Sequence, residues 1–154
     1  MAQSPSGQKQ YIDQAAAIPY RVDRKTGEVE VLLIRRTDDD GGGKAKRSGK
    51  WGIPKGLVDP GLNHEDAAHM ESMQEAGVDG PLSDDPVGTF TYGKFGGTCL
   101  VRVYAMRVNR VRDTWDEQHF RQRRWFPIDE SADTVGREAV QRLIRKLARQ
   151  LKGR

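Results

Sequence analysis

Apolar and polar positions divide this chain into short runs that alternate with period two and longer runs with helical spacing. Residues 14–22, QAAAIPYRV, read as a first strand, in which Pro19 argues for a sheet edge or a bulge because it has no N–H for the ladder. Lys25-Thr26-Gly27 is turn chemistry, and residues 28–36, EVEVLLIRR, form a second strand with an apolar centre, so the two are expected to pair as a hairpin. Residues 37–50, TDDDGGGKAKRSGK, have no period and predict a long mobile loop, with Asp38, Asp39 and Asp40 solvated rather than gathered on a metal. Further on, Val87 to Lys94 and Thr98 to Val108 predict two strands around a Gly96-Gly97 turn. A charged connection at 109–121 contains Trp115-Asp116-Glu117, and Arg123 to Pro127 supply a last short strand. Val140, Leu143, Ile144, Leu147 and Leu151 recur at helical spacing, so Arg137 to Leu151 is an amphipathic helix. No segment repeats another.

Between these lies WGIPKGLVDPGLNHEDAAHMESMQEAGV, residues 51–78. It predicts a short strand ending in Pro54-Lys55-Gly56, a tight loop, and a helix that Asp79-Gly80-Pro81 terminates. Asn63 is the expected N-cap, with Asp66 placed as in a capping box. Strands with one interior and one terminal helix imply a mixed sheet covered on both faces, a layered α/β domain.

Composition narrows this picture. The 154 residues suit one domain, expected over 11–154 behind a disordered polar tail at 1–10. No apolar run suffices to cross a membrane, and the polar start lacks a signal core, so the expected location is cytoplasmic. Cys99 is the only cysteine, which rules out an intrachain disulfide, and its apolar neighbours Leu100 and Val101 make it a buried strand thiol. The formal charge of +4 is concentrated in the terminal helix, where seven basic residues from Arg137 onward face only Glu138. Such a face is ordinarily solvated. With no interleaved aromatic set beside that charge, nucleic acid is not the expected partner.

The candidate chemistry sits in the central stretch. Glu71 and Glu75 are four apart and fall within about 40° of each other on a regular helical wheel, with Gln74 flanking them. His69 falls on another side and reads as an ordinary polar or packed histidine. A lone ExxxE pair is usually a solvated helix face. Here WGIPKG is too apolar for a surface loop, and Ala67 and Ala68 would let the helix seat closely on a sheet. Carboxylates beside the ammonium of Lys55 and the exposed backbone of Gly56 suit a divalent cation that holds polyphosphate.

At these residues the chain resembles the Nudix hydrolase family. That family's box is Gly, five residues, Glu, seven residues, then Arg-Glu-apolar-x-Glu-Glu-x-Gly-apolar. Gly56, Glu71, Glu75, Gly77 and Val78 match it, whereas Leu62, Met70, Ser72 and Gln74 depart. The flanks AAIPYR, KWGIPKG and WDEQHFRQRRWF extend the likeness over residues 12–150, the last resembling the diphosphoinositol polyphosphate phosphohydrolase-like branch. The resemblance implies a Nudix-type α/β/α sandwich that hydrolyses a phosphoanhydride in a nucleoside diphosphate derivative, a dinucleoside polyphosphate or an inositol pyrophosphate. It implies Mg²⁺ or Mn²⁺ held by Glu71, Glu75 and the Gly56 carbonyl, with Lys55 neutralising phosphate charge. Glu75 or Glu117 would be the general base, and Arg35, Arg36, Lys55, Lys94 and Arg121 the substrate contacts. Leu62 and Met70 replace both members of the family's ion pair, a change that is tolerable when made together. Gln74 removes one carboxylate from the metal face. Two other functions are therefore carried forward: a polyphosphate-binding module with weak or no catalysis, and an RNA 5′-pyrophosphohydrolase.

Overall fold

The computed structural model describes residues 10–37 and 49–153, so Asp38, Asp39, Asp40 and most of the expected polar tail lie outside the described residues. Its centre is a six-stranded mixed sheet in the order β5-β6-β1-β2-β8, with β3 also pairing β1. The strands are β1 (Ile12–Val22), β2 (Val29–Arg36), β3 (Lys55–Leu57), β5 (Gly88–Lys94), β6 (Gly97–Arg107) and β8 (Arg121–Pro127). A second, two-stranded sheet pairs β4 (Val78–Asp79) with β7 (Arg110–Val111). The helices are α1 (His64–Glu71), α2 (Ile128–Thr134) and α3 (Glu138–Lys152).

Period-two alternation sorts the sheet residues between two cores. Ala16, Ile18, Tyr20, Val31, Leu33, Val101 and Val103 face Val140, Leu143, Ile144 and Leu147 of α3. On the other face Ala17, Leu32, Ile34 and Met106 meet Ala76 and Val78, while Ala15 and Tyr104 pack on Ala67 and Ala68 of α1. The small side chains Ala15, Ala67 and Ala68 are fully buried, so α1 does lie close against β1. Both faces are covered, and the α/β/α sandwich expected from the sequence is the fold observed. The Cys99 thiol is buried in β6. No helix among the described residues is long and apolar enough to cross a membrane.

Pro19 does not mark an edge. β1 is an interior strand, parallel to β6 along most of its length. On its other side it is divided: Gln14–Ala16 pair with β3 and Tyr20–Val22 with β2. Odd-numbered amides face this divided side, since the Ala17 N–H donates to the Pro54 carbonyl at 3.1 Å. The N–H that Pro19 lacks therefore falls in the seam between two partners, where no ladder bond is lost.

Three other differences have local causes. The β5–β6 turn is Phe95-Gly96, one residue earlier than expected, with φ of +57° and +72° and Lys94 opposite Gly97. A two-residue hairpin needs both central residues at positive φ to match strand twist. The seven-residue α2 is too short to show a period, yet it buries Ile128, Ser131 and Ala132. The helix expected to run to the Asp79-Gly80-Pro81 stop is α-helical only to Glu71, continues as a π turn over Ser72–Ala76 and gives way to β4 at Val78.

Candidate active site

Asn63 caps α1 as expected, its side chain accepting the Asp66 N–H at 2.7 Å. Ser72 then begins the π turn. Its hydroxyl donates to the Ala68 carbonyl at 2.7 Å, the same oxygen its own N–H uses, which satisfies a fully buried polar side chain and competes with regular helix bonding. The wider turn alters the helical wheel. Glu71 and Glu75 still meet and share a hydrogen bond, but Gln74 lines a separate hollow with Met73, Arg112, Thr114, Trp115 and Asp116. π turns of this kind recur at functional sites.

Glu71 and Glu75 open into a cleft of about 410 Å³, also lined by Gln14, Lys55, Gly56, Asp59, Lys94, Phe95 and Arg121. A larger hollow of about 530 Å³ beside α3 contains none of these residues. Glu75 is 7% exposed, and its carboxylate accepts the Lys55 backbone N–H at 3.2 Å. Burial pushes its pKa up to about 8 against the pull of the Arg121 charge, and the adjoining Glu71 raises it further. Burial also raises Glu71, helped by the charges of Glu117 and Asp59. Without metal the two carboxyls titrate as one coupled pair, both raised chiefly by burial.

The remaining candidates divide. Arg121 spans two carboxylates, with Nε donating to Glu117 at 2.8 Å and Nη2 lying 3.8 Å from Glu75. Glu117 thus stands behind Arg121 rather than in the cleft wall. Arg35 and Arg36 lie elsewhere: Arg35 donates to Gln122 and covers the Trp51 ring, while the Arg36 guanidinium sits over Phe120. His69 bonds Asp79 at 2.8 Å, an ordinary polar contact on another face.

Sequence reasoning missed two supports. The Lys55 ammonium donates to the Tyr92 hydroxyl at 3.0 Å, and that hydroxyl donates to the buried Gln14 side chain at 2.7 Å. Gln14 was visible as the one polar residue opening an alanine run. The second support is a grip on the end of the helix. The last carbonyls of a helix have no partner within it. Here those of Gln74, Glu75, Ala76 and Gly77 accept from the Glu117 N–H, the Trp115 indole, the Arg123 guanidinium and the Arg112 N–H, at 3.1, 3.0, 2.9 and 2.8 Å respectively. Gly77, at φ +67°, is where the chain turns away, and a Cβ there would press on Arg123 and Trp115.

Do these residues fit a divalent cation? Among the described residues no cluster of three or more His, Cys, Asp or Glu side chains forms a cage. Mg²⁺ does not need one, because it keeps waters and substrate oxygens and takes only one or two carboxylates. Two adjoining carboxylates in a cleft with lysine and arginine fit that pattern. Backbone approach is equally specific: a Cβ on Gly56 would lie 2.2 Å from the Glu71 carboxyl carbon. Gly56→Ala is therefore expected to displace that carboxylate and weaken Mn²⁺ binding at least tenfold or so, measured by titration calorimetry.

Comparison with known proteins shows the family and the fold. The NUDIX domain family model matches residues 12–147. The chain is 29% identical over 143 residues to Nudix hydrolase 21, chloroplastic, of Arabidopsis thaliana, covering 88% of this chain and 68% of that protein. In fold it is similar to a C. elegans Ap4A hydrolase binary complex, with TM-score 0.75, 23% identity, and coverage of 93% and 99% of the two chains. It is also similar to the NUDIX domain of Shewanella oneidensis NrtR complexed with ADP ribose, with TM-score 0.68, 15% identity, and coverage of 97% and 94%. A family match over most of the chain, on a sandwich whose cleft is built from the box residues, places this protein in the Nudix hydrolase family, whose members act on phosphorus-containing acid anhydrides.

Proposed function

We propose that the protein is a Mg²⁺- or Mn²⁺-dependent pyrophosphohydrolase that splits a phosphoanhydride in a small polyphosphate ester, with residues 11–154 as one catalytic domain. The observation that carries this reading is the Glu71–Glu75 pair, brought into one cleft with Lys55, Lys94 and Arg121. Glu71, Glu75 and the Gly56 carbonyl would hold the cation, which when bound supplies charge neutralisation and an acidified water. Lys55 is held by Tyr92 where it can meet charge growing on a phosphate oxygen, and Lys94 and Arg121 take the flanking phosphates. Of the two carboxylates considered as base, Glu75 is in the cleft, whereas Glu117 spends an oxygen on Arg121 and sets that side chain's position.

The WDEQHFRQRRWF flank resembles the diphosphoinositol branch, and Gln74 stands where the family's box has a further carboxylate. Gln74 also sustains the second reading, a binding module with little turnover, although its side chain lines the neighbouring hollow rather than the cleft. One panel separates them: dinucleoside polyphosphates, nucleotide sugars, ADP-ribose, inositol pyrophosphates and 5′-triphosphate RNA, each with Mg²⁺ or Mn²⁺. Turnover of at least one compound, abolished by EDTA, is expected. Binding without turnover by both the protein and its Gln74→Glu variant would leave the module reading standing and overturn the enzyme.

A further inference from the structure

We propose that the free edge of β5 is a docking site where an extended acidic segment of another protein adds as a further strand, its carboxylates meeting the basic side of α3. The two-residue turn at Phe95-Gly96 makes Lys94 and Gly97 the closing hydrogen-bonded pair, so Gly88, Phe90, Tyr92 and Lys94 spend their backbone groups on β6. The N–H and carbonyl groups of Thr89, Thr91 and Gly93 therefore point away from β6, and no strand among the described residues pairs with them. All three residues are exposed.

An open edge is a template for pairing, and proteins usually blunt it with charge, proline or brevity. The main sheet's other open edges follow that rule. β8 carries Arg121, Arg123 and Arg124 and ends in Pro127, and β3 is three residues long. β5 is blunted only at its ends. There the Lys146 ammonium donates to the Val87 carbonyl at 2.6 Å, the Val87 N–H donates to the Val103 carbonyl at 2.7 Å, and Lys94 stands at the far end. Between them Thr89-Phe90-Thr91-Tyr92-Gly93 has no charge and no proline, and its threonines and aromatics favour an extended strand.

The neighbours say what pairs there. Phe90 and Tyr92 face α3, and the Arg137 guanidinium lies 5.4 and 4.4 Å from their ring centroids. Lys146 reaches the start of β5, and exposed Arg142 stands one turn earlier on the same side of the helix. A strand added beside β5 has Arg137, Arg142 and Lys146 along the face it shares with α3, a helix whose one acidic residue is Glu138. Carboxylates at alternate positions of that strand match them, while its main chain takes the outward groups of Thr89, Thr91 and Gly93. A second copy of this chain suits the edge less well, because two-fold pairing of β5 strands sets α3 against its copy, cation facing cation. A phosphate backbone supplies acceptors, which leaves the outward carbonyls without donors.

The test titrates the full chain into a fluorophore-labelled heptapeptide of alternating glutamate and threonine and follows anisotropy. Binding by the parent is expected. It should weaken roughly tenfold in Arg142→Glu, and roughly tenfold in Thr91→Pro, which removes one outward N–H. The same peptide with lysine in place of glutamate, or N-methylated at alternate residues, should not bind. Arg142→Glu should melt with the parent, which keeps the proposal falsifiable where Thr91→Pro lowers stability. Absence of binding by the parent, equal affinity for the N-methylated peptide, or unchanged affinity in Arg142→Glu overturns the proposal. So does tighter binding of an RNA oligomer of matched charge, which would make the basic face a nucleic-acid site. A dimer in sedimentation that Thr91→Pro dissolves would likewise overturn it and give the edge to a second copy. These readouts do not involve the carboxylate cleft, so their failure leaves the catalytic reading untouched.

Discussion

Glu75→Gln should lower turnover by about two to four orders of magnitude while the metal-free fold remains intact. Glutamine keeps the shape and can still accept the Lys55 N–H, so the loss is one of charge and basicity rather than of packing. The same variant has a second signature. Glu75 titrates near 8 in the native state against an ordinary 4.5, because burial disfavours its charged form. Between those values the native state binds more protons than the unfolded state, so metal-free stability falls as pH rises and levels off above the native value. Thermal melts in EDTA at pH 5 and pH 8 should show that decline in the parent. It should be smaller in Glu75→Gln, where only Glu71 contributes. Mg²⁺ should reverse the trend, since it binds the ionised carboxylates and stabilises most at high pH. Full turnover by the variant would remove Glu75 from the chemistry.

Arg123→Ala should be the most destabilising change outside the cores. The guanidinium donates to the Ala76 carbonyl at 2.9 Å and the Arg112 carbonyl at 2.6 Å, and it lies 3.9 Å from the centroid of the Trp115 ring. Truncation leaves two carbonyls without their charged donor and frees the indole that holds the Glu75 carbonyl. A cost of about 3 kcal/mol is expected, or roughly 10 °C in melting temperature for a chain of this size. Arg123→Lys keeps the charge but cannot fork to both carbonyls, so it should recover only part of the loss. Turnover measured well below the melting temperature should also fall, because the end of the π turn sets where Glu75 sits. A variant as stable as the parent would show that the backbone bonds from Glu117 and Arg112 suffice.

What was legible in the sequence follows from how local each signal is. The long strands of the main sheet, the cap at Asn63 and the terminal helix are written in nearest-neighbour periodicity and appear where the pattern places them, whereas the short strand expected to end at Pro54-Lys55-Gly56 instead begins at Lys55 as β3. The carboxylate pair is legible for the same reason: positions four apart meet on α-helical and slightly widened turns alike. Gln74 is more sensitive, and the π turn that begins at Ser72 takes it out of the cleft. Pro19 misled because its meaning depends on which strands flank β1, and that is fixed by residues far along the chain. Tyr92 carried no local signal, and Trp115 and Arg123 entered only as members of the WDEQHFRQRRWF flank, without their partners. Their roles exist only across separations of 37, 40 and 47 residues from Lys55, Glu75 and Ala76.

The grip on the helix end also bears on how this enzyme can diverge. Surface loops are where related proteins usually exchange specificity, since such segments tolerate change. Here residues 112–123 both present Arg121 to the cleft and satisfy the carbonyls of the π turn, two of them through the side chains of Trp115 and Arg123, so substitution at those two positions carries a structural penalty. The hairpin tip at Phe95-Gly96 bears no such duty. Change in the segment beside the carboxylates is thereby coupled to the stability of the helix end, whereas change at the two-residue tip, which lines the same cleft, is not.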